Sequence, residues 1–433
     1  MARVREIPVR NRWQGLVALS PLAVFFTLYL AVSLAAGDFY KMPVTVAFVA
    51  ACAWAFAVCR PRRLQQCVAR FSAGAGHPNI ALMVWIFVLA GAFAESAKYI
   101  GAVDATVALT LCWLPAGLVL PGLFAAACLI SLSIGTSVGT IVALMPVAAG
   151  VAAQAGIPLP TMAGVIVGGA FFGDNLSFIS DTTIAATRSQ GCSMKDKFRA
   201  NLRLALPAAL ITMAAYGIMG AGHSVAVPQG HILWWRALPY LLILATAMAG
   251  VNVMLVLMLG LLGTGLVALC AGGLGLLDWA GAMGKGITGM GELVIVTLLA
   301  GGLLELIRYN GGFTYVVQQL TRRIRTRRMA ELCMAIMVVF ANFCTANNTI
   351  AILSVGQMAR RIAHRFHIPP TRAASLLDTF SCTTQGILPY GAQLLMCSAL
   401  AGIGTLEIIP CLYYPMLLGL VAGGSILLQR GRR

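Results

Sequence analysis

The stretch FFGDNLSFISDTT, residues 171–183, concentrates oxygen-bearing side chains in a chain that is otherwise mostly apolar. It contains two aspartates, two serines, two threonines and one asparagine. Carboxylate, hydroxyl and amide oxygens are the ligands that hard cations prefer. An aspartate in apolar surroundings holds a proton or a cation in turn, but not both together. The stretch therefore indicates a site at which a proton and a small cation compete.

A second polar stretch, SIGTSVGT at residues 133–140, interleaves glycines with serines and threonines. Glycines permit close helix packing, but the hydroxyl groups between them favour a turn that is lined for a ligand. Unwound backbone exposes carbonyl oxygens and helix ends add dipoles, so a small cation can exchange its hydration shell for protein oxygens there.

The composition is typical of a chain that crosses a membrane several times. Of the 433 residues, 60% are hydrophobic and 10% are charged, which does not describe a soluble protein. Apolar runs of about 17 to 25 residues can cross a bilayer, and they must form helices because lipid cannot satisfy backbone polar groups. Such runs occur near residues 14–36, 42–59, 79–97, 204–221, 232–276 and 405–428. We therefore expect an all-α polytopic membrane protein.

The net charge of +17 is explained by where the lysines and arginines lie. They cluster before the first apolar run and near residues 60–70, 188–203, 308–328, 360–372 and 430–433. Such clusters are retained on the cytoplasmic side of a membrane, so the charge requires no nucleic acid as a partner. The pattern predicts a multi-pass protein with N- and C-termini in the cytoplasm and the lipid bilayer as its surroundings.

The two halves of the chain resemble each other in sequence. GAFAESAKYIGA at 91–102 aligns without a gap with GGLLELIRYNGG at 301–312, at an offset of 210 residues. Further along, SIGTSVGTIVAL at 133–144 is aligned with NFCTANNTIAIL at 342–353. These similarities predict an internal repeat.

The placement of charge indicates that the two repeats have opposite orientations. Residues 99–160 contain no lysine or arginine, whereas nine lie between residues 322 and 372 of the second half. Corresponding loops then lie on opposite sides of the membrane, which is typical of an inverted-topology repeat with an odd number of crossings per half. We predict a first repeat at 1–221 and a second at 222–433, with about five crossings each and ten in total.

Each repeat is predicted to contain a re-entrant hairpin followed by a broken helix. The hairpins are assigned to 121–153 and 329–359, and the broken helices to 160–187 and 373–398. Non-helical backbone at membrane depth is tolerated only where it is buried in protein or lines a cavity. An ionisable residue there is a functional candidate by default, and Asp174 is the strongest one. Capping of the inner half-helix explains Asp181 equally well.

The second half has neutral polar residues where the first half has its acids. NFCTANNT and SCTTQGILPYGAQ contain no acid that corresponds to Asp174, and Gln385 takes its place. The candidate residues of this half are Thr345, Asn347, Asn348 and Gln385. They fit a second ligand set, contacts to an organic substrate, or structural packing.

Two further acids have a structural explanation. Glu95 and Glu305 each precede a basic residue by three positions. A helical salt bridge near a membrane face is therefore their expected role, and a role in transport is left open.

The two polar stretches of the first half resemble known motifs. GTSVGT at 135–140 and FGDNLSFISDTT at 172–183 are similar to the paired motifs of the NhaC-type sodium/proton antiporters, an ion-transporter group with inverted repeats and re-entrant hairpins. The resemblance implies exchange of cytoplasmic sodium for external protons in a bacterial inner membrane. The implied site comprises Thr136, Ser137, Thr140, Asp174, Asn175, Ser177, Ser180, Asp181 and Thr182, with sodium held at Asp174 and Asp181.

Other functions are weighed against this resemblance. Members of the group are similar to carriers of organic acids or amino acids, so a sodium- or proton-coupled carrier is the alternative, with a small organic anion as its partner. A membrane-embedded aspartyl protease would need two acids on separate helices, whereas both acids here lie on one segment, and no enzyme is predicted. No cofactor is predicted, because sodium and protons are the transported ions. A homodimer and the ion stoichiometry are left open.

Overall fold

The computed structural model describes residues 11–36, 42–60, 64–113, 115–221, 233–271, 275–321 and 324–428. Within these ranges the chain forms helices and no β-strand, so the expected all-α class is confirmed. The two chain ends, which are predicted to be cytoplasmic, lie outside the described residues, as does residue 222, where the second repeat is predicted to begin.

The described part of the first half forms ten α-helices. The three longest, α1, α4 and α10, each overlap an apolar run of the sequence. The helices are α1 (Arg12–Ala36), α2 (Val44–Val58), α3 (Leu64–Ala75), α4 (Pro78–Tyr99), α5 (Ala102–Trp113), α6 (Val119–Ile134), α7 (Ser137–Ala155), α8 (Leu159–Leu176), α9 (Asp181–Gln190) and α10 (Met194–Gly220).

The described part of the second half continues with eleven α-helices. The long apolar run near 232–276 is divided into two helices by a turn at residues 249–252. The helices are α11 (Leu238–Met248), α12 (Val253–Cys270), α13 (Leu276–Gly289), α14 (Gly291–Tyr309), α15 (Gly312–Thr321), α16 (Arg327–Thr345), α17 (Asn348–Arg365), α18 (Pro370–Ile387), α19 (Ala392–Ala401), α20 (Thr405–Ile408) and α21 (Tyr413–Leu427).

The helix ends correct the alignment of the two halves. Gly135 ends α6 and Ala346 ends α16, and both have left-handed backbone conformations, with φ of 72° and 46°. Ser137 and Asn348 are the first residues of the helices that follow. Gly135 and Ala346 are 211 positions apart in the chain, and so are Ser137 and Asn348. The predicted alignment of SIGTSVGTIVAL with NFCTANNTIAIL is therefore two residues out of register, because different residue types occupy the same turn.

The two halves interlock through equivalent contacts. The long helix α4 packs on α13, and its counterpart α14 packs on α3. In the same way α7 packs on α19 and α17 packs on α9. These contacts join corresponding positions of the two halves. The inverted orientation, the boundary between the repeats and the re-entrant character of the hairpins stay predictions.

Several helical segments are suited to a bilayer. Within the described ranges seven are long and apolar enough to cross a membrane, and an eighth is added if the bent pair Pro370–Ala401 and Thr405–Cys411 is one span. The seven are Pro78–Tyr99, Ser137–Ala155, Leu159–Gln190, Met194–Gly220, Val253–Cys270, Leu276–Tyr309 and Arg327–Thr345. The protein is therefore a multi-pass membrane protein, and the count of ten crossings stays a prediction.

Close packing fixes the end of α8 against α6. A Cβ atom at Gly169 or Gly173 would collide with the backbone of α6, so the two helices approach each other only because these residues are glycines. Between them, the hydroxyl of Ser131 donates a 2.5 Å hydrogen bond to the backbone oxygen of Ala170. This contact holds the last turn of α8, which carries Asp174, beside the turn between α6 and α7.

Candidate ion-binding site

The helix of the first half is interrupted at residues 177–180, between α8 and α9. The hydroxyl oxygen of Ser177 accepts a hydrogen bond from the backbone N–H of Ile179 at 3.3 Å, which stabilises the turn locally. Ser180 precedes α9 in an extended conformation, and its hydroxyl does not cap that helix. The Ser180 side chain is therefore free to bind elsewhere.

Asp174 lies in the last turn of α8, and only 5% of its surface is exposed. Its Oδ1 accepts a 2.6 Å hydrogen bond from the hydroxyl of Ser180. Its Oδ2 accepts hydrogen bonds from the hydroxyl of Ser137 at 3.0 Å and from Nδ2 of Asn348 at 3.3 Å. All three donors are neutral. Among the described residues, no lysine, arginine or histidine forms an ion pair with Asp174.

Four helices begin next to this carboxylate. Ser137 and Asn348 are the first residues of α7 and α17, and Ser180 precedes α9. Gln393, the second residue of α19, donates a 3.0 Å hydrogen bond from Nε2 to the hydroxyl of Ser137. Helix N-termini carry partial positive charge, so this arrangement favours negative charge at Asp174. Both predicted hairpins and both predicted broken helices contribute to one site.

Gln385, the predicted counterpart of Asp174, forms no hydrogen bond with that carboxylate and is connected to it through Gln393 and Ser137. Its Nε2 donates hydrogen bonds to Oε1 of Gln393 at 2.9 Å and to the backbone oxygen of Ala346 at 3.0 Å. Its own Oε1 is buried and has no hydrogen-bond partner in the described part of the chain. Gln385 is therefore part of the hydrogen-bond network that reaches Asp174, and its Oε1 is left without a partner among the described residues.

Other predicted hydroxyl and amide residues shape the helix starts. The hydroxyl of Thr140 donates to the backbone oxygen of Thr136 at 3.1 Å, and the hydroxyl of Thr345 donates to that of Asn347 at 3.0 Å. The side chain of Asn347 caps α17. These hydrogen bonds hold the two turns in place but do not reach the carboxylate of Asp174.

Asp181 and Thr182, both predicted as site residues, lie side by side at the start of α9 but differ in their surroundings. Thr182 is buried, and its hydroxyl lies 2.9 Å from that of Ser180 and 3.5 Å from the backbone oxygen of Asp174. Asp181 is exposed, and its side chain forms no hydrogen bond or ion pair with the other described residues. The structure therefore does not bring Asp181, predicted as a second sodium ligand, to the carboxylate of Asp174.

A second buried charge centre lies next to the site and is absent from the sequence predictions. Lys197 at the start of α10 and Asp378 within α18 have side chains 1% and 0% exposed, and Nζ lies 2.5 Å from Oδ2. Asn175 connects this pair to the neighbouring Asp174. Its Nδ2 donates to Oδ2 of Asp378 at 3.2 Å, and its backbone oxygen accepts a 2.7 Å hydrogen bond from Lys197.

Sequence reasoning misses this pair for two reasons. Lys197 belongs to the basic cluster at 188–203, which is attributed to the cytoplasmic face. Asp378 lies in ASLLDTF, outside the polar stretches that mark the helix breaks. A lone acid in an apolar helix is the signal that could have identified Asp378.

Two further acids, Glu95 and Glu305, are expected from the sequence to form helical salt bridges. Glu95 and Lys98 form the expected pair at a distance of 4.0 Å, with side chains 44% and 74% exposed. Glu305 lies at a half-buried position of α14.

The donor set around Asp174 suits a hard cation. It consists of a carboxylate, hydroxyls and side-chain amides, which all offer oxygen. Within the described ranges, no group of three histidine, cysteine, aspartate or glutamate residues could hold a metal ion. A sodium ion at Asp174 would be cargo rather than a resident cofactor.

Comparison with known proteins identifies the family of the chain. The sequence profile of the Na+/H+ antiporter family matches residues 56–221 and 230–428. The chain is 24% identical over 376 residues to the Na(+)/H(+) antiporter NhaC of Bacillus subtilis (strain 168), which covers 78% of this chain and 81% of that protein. The predicted resemblance of the chain to the NhaC-type sodium/proton antiporters is thereby confirmed.

Two further relatives have other substrates in their names. The Malate-2H(+)/Na(+)-lactate antiporter of Bacillus subtilis (strain 168) is 23% identical over 337 residues, covering 68% of this chain and 70% of that protein. The Arginine/ornithine antiporter ArcD of Halobacterium salinarum (strain ATCC 700922 / JCM 11081 / NRC-1) is 22% identical over 328 residues, covering 66% and 65%. The profile covers most of the chain and these relatives are all antiporters, so the protein is a secondary transporter that belongs to the Na+/H+ antiporter family.

Proposed function

We propose that the protein exchanges cytoplasmic sodium for external protons, and that Asp174 binds either ion. The observation that carries the proposal is a difference between two buried acids. Lys197 neutralises Asp378 at 2.5 Å, whereas only neutral donors contact Asp174. A buried carboxylate without a counter-charge is costly, so a proton or a cation stabilises it. Because both ions need the same carboxylate, binding of one displaces the other.

The groups around Asp174 can serve both ions. The hydroxyls of Ser137 and Ser180 donate to the carboxylate, and a hydroxyl group also has lone pairs and rotates freely. When sodium occupies the site, these hydroxyl oxygens can turn towards it, together with the side-chain oxygen of Asn348. The same residues thus stabilise the carboxylate and coordinate the cation.

A large cavity borders α19, one of the helices that begin near this site. It has a volume of about 1020 Å³ and its lining includes Tyr29, Glu292, Leu395 and Glu407. Leu395 lies on α19 only two residues from Gln393, which contacts Ser137. In the predicted topology the cavity faces the outside. Alternating access then requires the hairpins and interrupted helices to move relative to the other helices.

Proton flux in reconstituted vesicles tests the proposal. An imposed sodium gradient is expected to drive protons in the opposite direction, recorded with an entrapped pH-sensitive dye. Asp174→Asn is expected to fold and to abolish this flux, because an amide exchanges neither ion. The matched control is Asp181→Asn, which changes an exposed acid of the same segment and should keep the flux. Normal exchange by Asp174→Asn would refute the assignment.

Exchange of an organic substrate is the second candidate function. The cavity is as large as many small-molecule pockets, and two relatives are named for malate and lactate or for arginine and ornithine. Vesicles preloaded with one of these four compounds are tested for uptake of the labelled form. Sodium-driven proton flux without any organic compound supports the first candidate. A requirement for one of the compounds supports the second.

A further inference from the structure

Lys197 places an ammonium group inside the protein, at the interrupted end of α8. Its Nζ lies 2.5 Å from Oδ2 of Asp378. It also donates hydrogen bonds to the backbone oxygen of Asn175 and to the hydroxyl of Thr183, both at 2.7 Å. Lys197 is on α10, while the three oxygens come from α18, α8 and α9. Four helices therefore meet at one positive charge.

These three oxygens have the composition of a cation-binding site. They are a carboxylate, a backbone carbonyl and a hydroxyl. The carbonyl of Asn175 belongs to the last turn of α8, where carbonyls lack partners within the helix and carry partial negative charge. Asn201 orients two of the groups, because its Nδ2 donates to Oδ2 of Asp378 at 2.8 Å and to the backbone oxygen of Asn175 at 3.1 Å. The break in the helix thus creates a position that requires a positive charge.

We propose that Lys197 is a tethered cation that fills a second cation-binding site, formed by Asp378, Asn175 and Thr183. The site lies beside the exchange site, since Asn175 follows Asp174 in the chain. Because the ammonium is covalently attached, this second site does not exchange its cation. Of the two buried aspartates, only Asp174 then exchanges ions. A free sodium ion is the ligand that the second site takes when the lysine is removed.

An ordinary structural ion pair is the alternative to a tethered cation. The two differ in what remains after Lys197 is shortened to alanine. A structural pair leaves a buried, unpaired carboxylate that gains nothing from sodium. A cation site leaves an oxygen-lined space that sodium enters, and the protein becomes more stable in sodium than in a cation too large to enter.

The test uses the full-length protein in detergent with Asp174→Asn as the background, so that the exchange site does not contribute. Thermal unfolding is compared in sodium chloride and in choline chloride. Asp174→Asn alone is expected to unfold at the same temperature in both salts. Asp174→Asn/Lys197→Ala is expected to be less stable in choline and to regain about 3 °C in saturating sodium. Equilibrium dialysis with radioactive sodium should show one bound ion per chain.

A third variant and the possible failures make the test decisive. Adding Asp378→Asn to the double variant keeps the same space but removes the carboxylate, so the sodium response should disappear. Equal unfolding temperatures of the double variant in the two salts, or failure to fold in either salt, would overturn the proposal that Lys197 fills a cation-binding site. A sodium response of Asp174→Asn alone would instead count against Asp174 as the exchange site. Whether the removal of Lys197 adds to the sodium-dependent rise in unfolding temperature then still decides whether the second site exists. Failure of the exchange site and failure of the second site therefore give different results.

Discussion

Asp174 and Asp378 both lie buried on the interrupted helices, but their partners differ. Asp378 on α18 contacts the ammonium of Lys197 and two side-chain amides. Asp174 on α8 contacts two hydroxyls and one amide. Burial alone therefore does not distinguish the proposed exchange site from a site with a fixed cation. What distinguishes them is whether the protein itself supplies the opposite charge.

The largest expected effect comes from breaking the charged pair. Asp378→Asn leaves Lys197 buried without a counter-charge, which should reduce the free energy of unfolding by about 3 to 5 kcal/mol. The matched control is Asp378→Asn/Lys197→Met, which removes both charges and should recover most of the stability. Thermal unfolding in detergent measures both. If Asp378→Asn were as stable as the wild type, the charge of Lys197 would not be what distinguishes Asp378 from Asp174.

A smaller effect is expected from removing one donor at Asp174. Ser180→Ala deletes the 2.6 Å hydrogen bond to Oδ1 and one hydroxyl oxygen of the proposed sodium site. Hydrogen bonds to charged groups contribute about 1.5 to 3 kcal/mol, so we expect the KM for sodium in proton-flux assays to rise at least about tenfold.

The matched control for this prediction lies in the same connection. Ser177 is also buried, but its hydroxyl accepts from the backbone of Ile179 and does not reach Asp174. Ser177→Ala should therefore leave the KM for sodium close to the wild-type value. An equal rise in the KM for sodium in both variants would mean that the shape of the turn at residues 177–180 matters for sodium binding, and not the hydroxyl of Ser180 in particular.

The smallest effect on the free energy of unfolding is expected from a change at Glu95. Glu95→Gln removes an ion pair of 4.0 Å between exposed side chains, which contributes less than about 1 kcal/mol. Glu331→Gln is the contrasting control, because Glu331 is fully buried and bound by Arg372 at 3.0 Å. Thermal unfolding should show a large loss for Glu331→Gln alone. Loss of transport by well-folded Glu95→Gln would show that this acid belongs to the transport mechanism.

Much of the site around Asp174 could be predicted because its residues lie where helices stop. Ser137, Asp174, Ser180 and Asn348 all belong to polar stretches within apolar surroundings, and the structure brings them to one carboxylate. Such stretches are conspicuous in the sequence, because a membrane helix rarely contains several oxygen-bearing side chains without a reason.

The rest could not be predicted because it depends on the direction of single side chains. Asp181 is within the same polar stretch as Ser180 but is exposed. Lys197 belongs to a basic cluster, and only the packing of α10 shows that its side chain is directed inward. The short helices α3 and α13 pack against α14 and α4 of the opposite half, although neither is long enough by itself to be predicted as a crossing. Hydropathy predicts which segments enter the membrane but not which segments pack together.

The position of Asn175 has a consequence for how the protein can move. This residue and its neighbour Asp174 are consecutive on α8, yet Asn175 is hydrogen-bonded to α10 and α18 whereas Asp174 is the proposed binding site of the exchanged ion. Loading or unloading of the ion therefore acts on a helix end that is already anchored on its opposite side. We expect α8, α10 and α18 to travel as one rigid body during the transport cycle, with the sliding surface at their outer perimeter.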